Sequence, residues 1–424
     1  MPSIYYLLVY IVLISISAFL LLREFASTWR RSLREKYVAS NNDKVSSSKY
    51  VPDDVSFIIL SKLPLKSVRR FTCACKSWSL LFEDLHFMKM FRTNFILMHR
   101  SLYSDTSLFL NIKEILPYDQ DGSTLYFLSD EKFENRVKLE NNHTFTHLLD
   151  SGINGILCLS DLHHEHINLW NPATKELKIV PPSPVQFLYY KSFSFDIHGF
   201  GYDRVNDDYK IVRHVNVSYY DHNYDNVDWT YLPSTPSPFW EIYSVKSNSW
   251  KRLHLEMPEY AGRCKVYLSG LCHWCVWEDD DVTSMVSFNL SSEGFCITLL
   301  PLDMQENYPD DWVSLHFNLV VLNEFVSIII EHVKTTYFHI YVLGEPGVSE
   351  SWTKLFIVGP LLSVERFIGV GKKGDVWFIR NENELACFDL NTQTIEDLGV
   401  KGNHFSCDLA IYKKNLVPID QIKK

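Results

Sequence analysis

The sequence predicts a mainly β fold preceded by a small all-α module near the N-terminus. Aromatic residues make up 14% of the 424 residues, and aromatic and β-branched side chains pack well on a pleated sheet. After Phe91, most apolar segments are short and are separated by Gly, Asn, Asp, Ser and Pro, as is typical of strands joined by turns. Before that point the apolar residues follow a helical spacing instead.

The helical module is predicted within residues 51–91. Pro52 followed by Asp53 and Asp54 indicates a helix start, because carboxylates are favoured at the positive end of the helix dipole. Pro64 separates a first helix from a second, since proline interrupts helical hydrogen bonding. The apolar residues that follow are spaced by three or four and share one helical face: Leu65, Val68, Phe71, Cys75 and Trp78.

One hairpin pattern recurs along the β region at intervals near 50 residues. Each copy has a strand, a tight polar turn and a second strand, with an aromatic residue just before the turn: Trp170, Tyr243, Phe288, Tyr341 and Phe388. These residues are 73, 45, 53 and 47 positions apart. Such a period favours four-stranded blades over a β-sandwich, so the sequence predicts a β-propeller-like domain of about six blades.

Charge and cysteine content exclude some functional classes. The net charge is −10, which disfavours sequence-independent nucleic-acid binding, because proteins of that class are usually basic. The nine cysteines are an odd number without clustered spacing. They therefore indicate a reducing compartment rather than a disulfide framework or a zinc site.

The N-terminal segment, residues 1–23, contains a run of 19 residues without charge, Ile4 to Leu22. This length is sufficient to span a bilayer as a helix. Basic residues follow it in the polar linker of residues 24–49: Arg30, Arg31, Arg34 and Lys36. The positive-inside rule then predicts a membrane anchor with the rest of the chain in the cytosol. An unused extension or a weak signal sequence remains an alternative.

Four stretches resemble reactive sites, and each has a simpler interpretation. Residues 161–166, "DLHHEH", lie between two predicted strands, so their side chains belong to a hairpin turn rather than to a metal site. Cys272 and Cys275 point to opposite faces of a strand, which disfavours a redox pair. Residues 369–375 lack P-loop spacing. Residues 278–281 are interpreted as a solvated hairpin tip, with a contact for a basic partner as the alternative. The sequence predicts no catalytic residue, no metal site and no cofactor.

The stretch "VPDDVSFIILSKLPLKSVRRFTCACKSW", from Val51, resembles an F-box, which is placed at residues 50–92. The family pattern usually has Leu, Glu and Val where Val51, Ile59 and Ala74 stand. The resemblance implies docking on the Skp-type adaptor of cullin–RING ubiquitin ligases. It also implies a set of adaptor-binding and packing residues: Pro52, Ile58, Leu60, Leu63, Pro64, Val68, Phe71, Cys75 and Trp78.

Residues 93–424 resemble the plant F-box-associated domain, a kelch-like propeller. The matching motifs include "GILCLS…INLWNPATKEL" from Gly155 and "GFGYDRVNDDYKIVRHV" from Gly199. The C-terminal "FSCDLAIYKKNLVPI" keeps only a faint trace of the closing element of the family. Trp250 and Trp352 follow hairpin turns and are expected to pack between blades.

Together these resemblances imply the non-catalytic substrate-recognition subunit of an SCF-type ubiquitin ligase. Its expected partners are the adaptor, through it a cullin scaffold, and an unidentified target protein; nucleic acid is not expected. The expected location is cytosolic or nuclear, with membrane attachment through residues 4–22. Aromatic residues dominate binding hot spots, so two Tyr- and Trp-rich loops are predicted to bind the target: Tyr219, Tyr220, Tyr224, Trp229, Tyr308 and Trp312.

Other functions remain open at the level of sequence. One is a membrane-tethered interaction protein that uses the F-box fold outside a ligase. Another is a lumenal propeller enzyme or lectin, for which glycosylation at Asn142, Asn216 or Asn289 is the discriminating observation. A pollen-type self-incompatibility determinant is a third, because relatives with this domain pair include such proteins.

Overall fold

The computed structural model places α-helix α1, Asp53–Leu60, in one unit, Met1–Leu63, and all other elements in a second unit, Pro64–Lys424. The residues that it describes are 53–63, 65, 67–68, 80–81, 83–99, 106–114, 122–128, 136–139, 147–161, 163–184, 191–219, 237–258, 265–278, 281–301, 315–361, 363–371, 374–380, 384–401, 405–416 and 419.

Helix α1 begins at Asp53, which confirms the predicted helix start. Its end is closed locally, because the Ser61 amide donates to the Phe57 carbonyl at 2.8 Å and the Ser61 hydroxyl donates to the Ile58 carbonyl at 3.0 Å. These bonds satisfy carbonyls that a helix end otherwise leaves unpaired.

Helix α2, Leu85–His99, is capped by Asp84, whose carboxylate accepts the Phe87 amide at 2.8 Å. Aspartate suits this position because its oxygen satisfies an amide in the first turn. The helix continues seven residues past position 92, where the sequence analysis ends the region that resembles an F-box. It therefore crosses the boundary predicted between the two domains.

The described residues after α2 form 24 strands, which confirms the mainly β prediction. In chain order they are β1 (Thr106–Glu114), β2 (Gly122–Leu128), β3 (Arg136–Leu139), β4 (His147–Ile153), β5 (Ile156–Ser160), β6 (Ile167–Asn171), β7 (Glu176–Ile179), β8 (Lys191–Asp203), β9 (Asp208–Tyr219), β10 (Phe239–Ser244), β11 (Ser249–Leu253), β12 (Lys265–Leu268), β13 (Leu271–Glu278), β14 (Asp281–Asn289), β15 (Phe295–Leu299), β16 (Leu315–Leu322), β17 (Phe325–His332), β18 (Tyr337–Leu343), β19 (Trp352–Val358), β20 (Val364–Val370), β21 (Asp375–Arg380), β22 (Glu384–Asp389), β23 (Thr394–Lys401) and β24 (Phe405–Lys413).

Five antiparallel sheets are each built from four consecutive strands: β4–β7, β8–β11, β12–β15, β16–β19 and β20–β23. A further four-stranded sheet has the order β24-β1-β2-β3 and so combines both ends of the β region. In it, β1 pairs with β24 from Thr106↔Lys413 to Glu114↔Phe405. This pairing ties the last strand to the first.

The sheets form a ring within the second unit. One edge strand of each sheet contacts its counterpart in the next, in the closed order β24, β4, β8, β12, β16, β20 and back to β24. These six strands are therefore the inner strands, and each sheet extends outward from them to its fourth strand. This arrangement confirms the predicted β-propeller.

The hydrophobic core lies between neighbouring sheets. Between the β8–β11 and β12–β15 sheets, the Trp240 and Trp274 rings stack with centroids 5.3 Å apart. The His198 ring lies edge-on to both indoles, at 4.5 and 5.2 Å. Aromatic rings favour such offset and edge-to-face contacts. The high aromatic content is thus used largely in the contacts between blades.

The repeated hairpins are confirmed, since all five aromatic residues that define them lie in the third strand of a sheet. They are Trp170, Tyr243, Phe288, Tyr341 and Phe388.

No described helix is long and apolar enough to cross a membrane. The predicted anchor, residues 4–22, lies outside the described residues.

Candidate protein-interaction surfaces

The propeller has two ends that differ in their connections. Because consecutive strands are antiparallel, connections alternate between the two ends. The links between sheets and the second-to-third-strand connections lie at one end, here called the loop end. The first-to-second-strand and third-to-fourth-strand connections lie at the other, here called the turn end. Loops on a rigid scaffold commonly carry recognition.

The two predicted target-binding segments leave the propeller at the loop end. One connects β9 to β10 through residues 220–238, and the other connects β15 to β16 through residues 300–314. Tyr219 was predicted within a loop, but it is the last residue of β9 and pairs with Lys191, because the β8–β9 ladder is longer than expected. The other predicted target-binding residues lie outside the described residues: Tyr220, Tyr224, Trp229, Tyr308 and Trp312.

The histidine-rich stretch 161–166 forms the turn between β5 and β6 at the loop end, as predicted. The Asp161 carboxylate accepts the amides of Glu165 and His166 at 2.9 and 3.2 Å and contacts the His166 Nδ1 atom at 2.7 Å. His164 Nδ1 lies 2.7 Å from the Ser160 hydroxyl. These side chains thus shape the turn. Among the described residues, no group of three potential ligands is placed to hold a metal ion.

A buried ion pair between Arg213 and Glu241 contacts this turn. The Arg213 guanidinium lies 2.7 Å from the Glu241 carboxylate, and it is stacked between the rings of Phe195 and Trp250, with centroids 4.0 and 3.9 Å away. Its Nη1 atom also donates to the His164 carbonyl at 3.4 Å. Burial lowers the pKa of Arg213, and the Glu241 carboxylate opposes this shift. The site joins two sheets and is a structural element.

The same hydrogen bond between a side chain and the backbone recurs in the hairpins at the turn end. In four sheets the third strand ends in Asn, Asp or Ser, whose side-chain oxygen accepts a backbone amide within the turn that follows. The four acceptors are Asn171, Ser244, Asn289 and Asp389. The β18–β19 hairpin differs, because its connection contains the 3₁₀ helix Ser349–Ser351. The "NPAT" sequence, which begins at Asn171, contains the first of these hydrogen bonds.

A second buried ion pair joins two sheets at the turn end. Lys210 Nζ lies 2.8 Å from the Asp203 carboxylate and donates to the Leu290 carbonyl at 2.8 Å. Burial disfavours the charged form of Asp203. Hydrogen bonds from Lys210, Ser291 and Asn206 outweigh this effect and hold the pKa of Asp203 well below its usual range. The β8–β9 turn is thereby fixed to the next sheet.

Two tryptophans connect neighbouring sheets, which confirms the predicted packing role. Trp250 Nε1 donates to the Pro181 carbonyl at 2.8 Å. Trp352 Nε1 donates to the Leu299 carbonyl at 3.1 Å. Each indole thus reaches the residue at or near the end of the outer strand in the preceding sheet.

Helix α2 packs on the turn end of the β16–β19 sheet. The rings of Phe95 and Phe325 have centroids 5.4 Å apart. The Asn323 side-chain amide, in the β16–β17 turn, donates to the Phe95 carbonyl at 3.3 Å. The helix then leads to β1, which begins at the same end of the propeller. Helix α2 is therefore joined to the propeller at the end opposite the long connections.

Helix α1, in the other unit, presents apolar side chains to solvent. Ile58 is 47% exposed and Ile59 is 40% exposed, whereas Leu60 is 2% exposed. Both isoleucines are therefore accessible at the surface of α1.

Two family models match the chain. The F-box domain matches residues 51–90, and the F-box associated beta propeller domain matches residues 78–416, most of the chain. This chain belongs to the F-box proteins with an F-box-associated β-propeller domain. The two matches overlap where α2 begins, so this F-box protein has one helix that belongs to both regions.

Curated relatives from Arabidopsis thaliana agree with this assignment. One F-box protein is 27% identical over 60% of this chain and 62% of its own length. F-box protein CPR1 is 25% identical over 85% of this chain and 87% of its own length. Among solved structures, TolB from Acinetobacter baumannii is 7% identical with a TM-score of 0.44, covering 76% of this chain and 72% of that chain.

The predicted adaptor-binding residues of the F-box fall into four groups. Ile58 is exposed, Leu63 is half-buried, and Leu60 and Val68 are buried. The others lie outside the described residues: Pro52, Pro64, Phe71, Cys75 and Trp78. Exposure makes Ile58 accessible to a partner, whereas Leu60 and Val68 are buried within the protein. Contact of this set with the adaptor remains a prediction.

The contacts of α2 with the propeller were missed from the sequence. Phe87, Phe91 and Phe95 are spaced by four and are buried, with adjacent ring centroids 5.9 and 6.4 Å apart. This spacing is a helical signal that extends past residue 92. Asn323 carries no comparable signal, because its role depends on contact with a residue 228 positions away.

Proposed function

We propose that this F-box protein is the substrate-recognition subunit of an SCF-type cullin–RING ubiquitin ligase. The F-box binds the Skp-type adaptor and, through it, the cullin scaffold. The propeller binds a target protein. The observation that supports this proposal most strongly is the attachment of α2, which begins within the F-box match, to the turn end of the propeller. In this proposal the target binds at the loop end, where the long connections 220–238 and 300–314 leave the sheets.

The mechanism in this proposal is positioning. A target held on the propeller has its lysines at high effective concentration near the activated ubiquitin thioester. The F-box protein supplies no catalytic group to the transfer. Its contribution is the affinity for the target and the geometry in which the target is presented.

The composition of the loop end supports a basic target surface. Connections 220–238 and 300–314 contain seven Asp and Glu residues and no Lys or Arg. They also contain several Tyr and Trp residues, the types most common in binding hot spots. Complementary charge favours association with a partner rich in Lys and Arg, and it makes the association sensitive to salt.

We further propose that residues 4–22 anchor the protein in a membrane, with the F-box and propeller on the cytosolic or nuclear side. The uncharged run and the basic residues after it support this orientation. The full chain should be found in the membrane fraction, and a variant that lacks residues 4–22 should be found in the soluble fraction. Glycosylation of Asn142, Asn216 or Asn289 would place the propeller in a lumen and contradict the ligase proposal.

The adaptor role is tested by co-purification of the full chain with a Skp-type adaptor. Ile58→Asp places a charge on the exposed face of α1 and should abolish binding. Ile59→Glu is the matched control: it is similarly exposed, and F-boxes usually have glutamate there, so binding should persist. Failure of the unmodified chain to bind the adaptor would refute the proposal. Equal binding by Ile58→Asp would exclude this face of α1.

A further inference from the structure

Helix α2 touches the β16–β19 sheet at three separate points. The Phe95 ring packs on the Phe325 ring at the start of β17. The Asn323 amide donates to the Phe95 carbonyl from the β16–β17 turn. The Arg92 guanidinium lies 5.9 Å from the centroid of the Phe356 ring in β19. Contacts in a turn and in two strands restrain the helix against both rotation and translation.

The residues on both sides of this contact are well packed. Phe95, Asn323 and Phe356 are buried. Asn323 has a left-handed backbone conformation, with φ at +50°, which asparagine tolerates better than most residues. Its buried side-chain amide is satisfied by the Phe95 carbonyl, and a buried polar group without a partner is costly. The chemistry of this turn is thus matched to the helix that it holds.

We propose that this contact is a rigid coupling, through which α2 fixes the propeller relative to the end of the F-box and thereby determines which lysines ubiquitin can reach. The proposal rests on the ligase function proposed above. A fixed orientation keeps a small set of lysines near the thioester. A flexible connection would distribute the probability of ubiquitin transfer over many lysines. Asn323 and Phe325 are positioning residues in this scheme.

The coupling itself is tested by amide hydrogen exchange on the full chain. Asn323→Gly keeps the left-handed backbone accessible and removes the amide, and Phe325→Ala removes the ring. The double variant should make the amides of α2 exchange roughly tenfold faster, because local opening becomes easier. Ser269→Gly, in the equivalent turn of the β12–β15 sheet and also left-handed, is the matched control and should leave α2 unchanged. Unchanged exchange in the double variant would overturn the coupling.

The role in ubiquitin placement is tested in a reconstituted ligase by mapping self-ubiquitylated lysines with mass spectrometry. The unmodified chain should give a restricted set. The double variant should still bind the adaptor, but it should become ubiquitylated at additional lysines. An unchanged set, despite a loosened α2, would overturn the placement role. Failure of the unmodified chain to bind the adaptor would refute the ligase function and the placement role together, while the exchange result would still decide whether the coupling exists.

Discussion

The two ends of the propeller follow different rules. At the turn end, four hairpins repeat the same combination of an aromatic residue and a side-chain acceptor before a short turn, as in Phe288–Asn289 and Phe388–Asp389. At the loop end, connections range from the two residues 279–280 to the segments 220–238 and 300–314. The sequence of the turn end therefore follows from the fold, whereas the connections at the loop end vary widely in length.

The largest effect is expected from the ion pair that supports the loop end. Glu241→Ala should lower the free energy of unfolding by about 3–5 kcal/mol, because it leaves the Arg213 charge buried without its carboxylate. Denaturant unfolding of the full chain measures this loss. Glu293→Ala is the control, since it breaks a largely exposed pair with Lys251 at the turn end and should cost less than about 1 kcal/mol. Similar losses in both variants would contradict the assigned burial.

A smaller effect is expected from His273, which lies within strand β13, between the two ends of the propeller. Its Nδ1 atom is 2.8 Å from the Ser287 hydroxyl, and burial lowers the pKa of His273 to about 3. The unfolded chain binds a proton near pH 6.5 and the folded chain does not, so stability falls as pH decreases from about 6.5 towards 3. The expected loss from this group between pH 7 and pH 5 is about 2 kcal/mol.

The measurement for His273 is the free energy of unfolding as a function of pH. His273→Gln should flatten the acid side of the profile, whatever its effect at neutral pH. His163→Gln, an exposed histidine at the loop end, should keep the slope of the unmodified chain. A slope that is the same in all three proteins would show that His273 does not control this dependence.

The side-chain acceptors at the turn end should make a measurable but modest contribution to stability. Asn289→Ala removes the acceptor for the amides of Ser291 and Ser292 and should lower the free energy of unfolding by about 1 kcal/mol. His163→Ala, at an exposed position of a loop-end turn, should change it by less than about 0.5 kcal/mol. Equal losses would remove the distinction between the two ends.

The smallest effect on stability is expected at the predicted target-binding segment. If this segment serves target binding rather than the fold, replacing Tyr219, Tyr220, Tyr224 and Trp229 by Ala should change the free energy of unfolding by less than about 1 kcal/mol, as substitutions outside packed features usually do. The same variant should lose the ubiquitylated proteins that depend on the unmodified chain, as measured by ubiquitin-remnant peptides. Loss of stability without loss of these targets would assign the segment to the fold.

Local patterns in the sequence predicted the hairpins and the start of α1, because each depends on neighbouring residues. The sheet that joins β24 to β1 could not be predicted in this way, since Thr106 and Lys413 pair across most of the chain. The same reason hid the partnership of Asn323 with Phe95. The placement of Tyr219 in β9 depended on the length of the β8–β9 ladder, which a Tyr- and Asn-rich stretch does not indicate.

We propose that the adaptor and the target bind different parts of this F-box protein. Hydrogen exchange of the full chain with and without a Skp-type adaptor tests it most directly. We expect the adaptor to slow exchange within residues 51–90, including α1, and to leave connections 220–238 and 300–314 unchanged. Protection of those connections by the adaptor, with α1 unprotected, would contradict the division of roles between the F-box and the loop end.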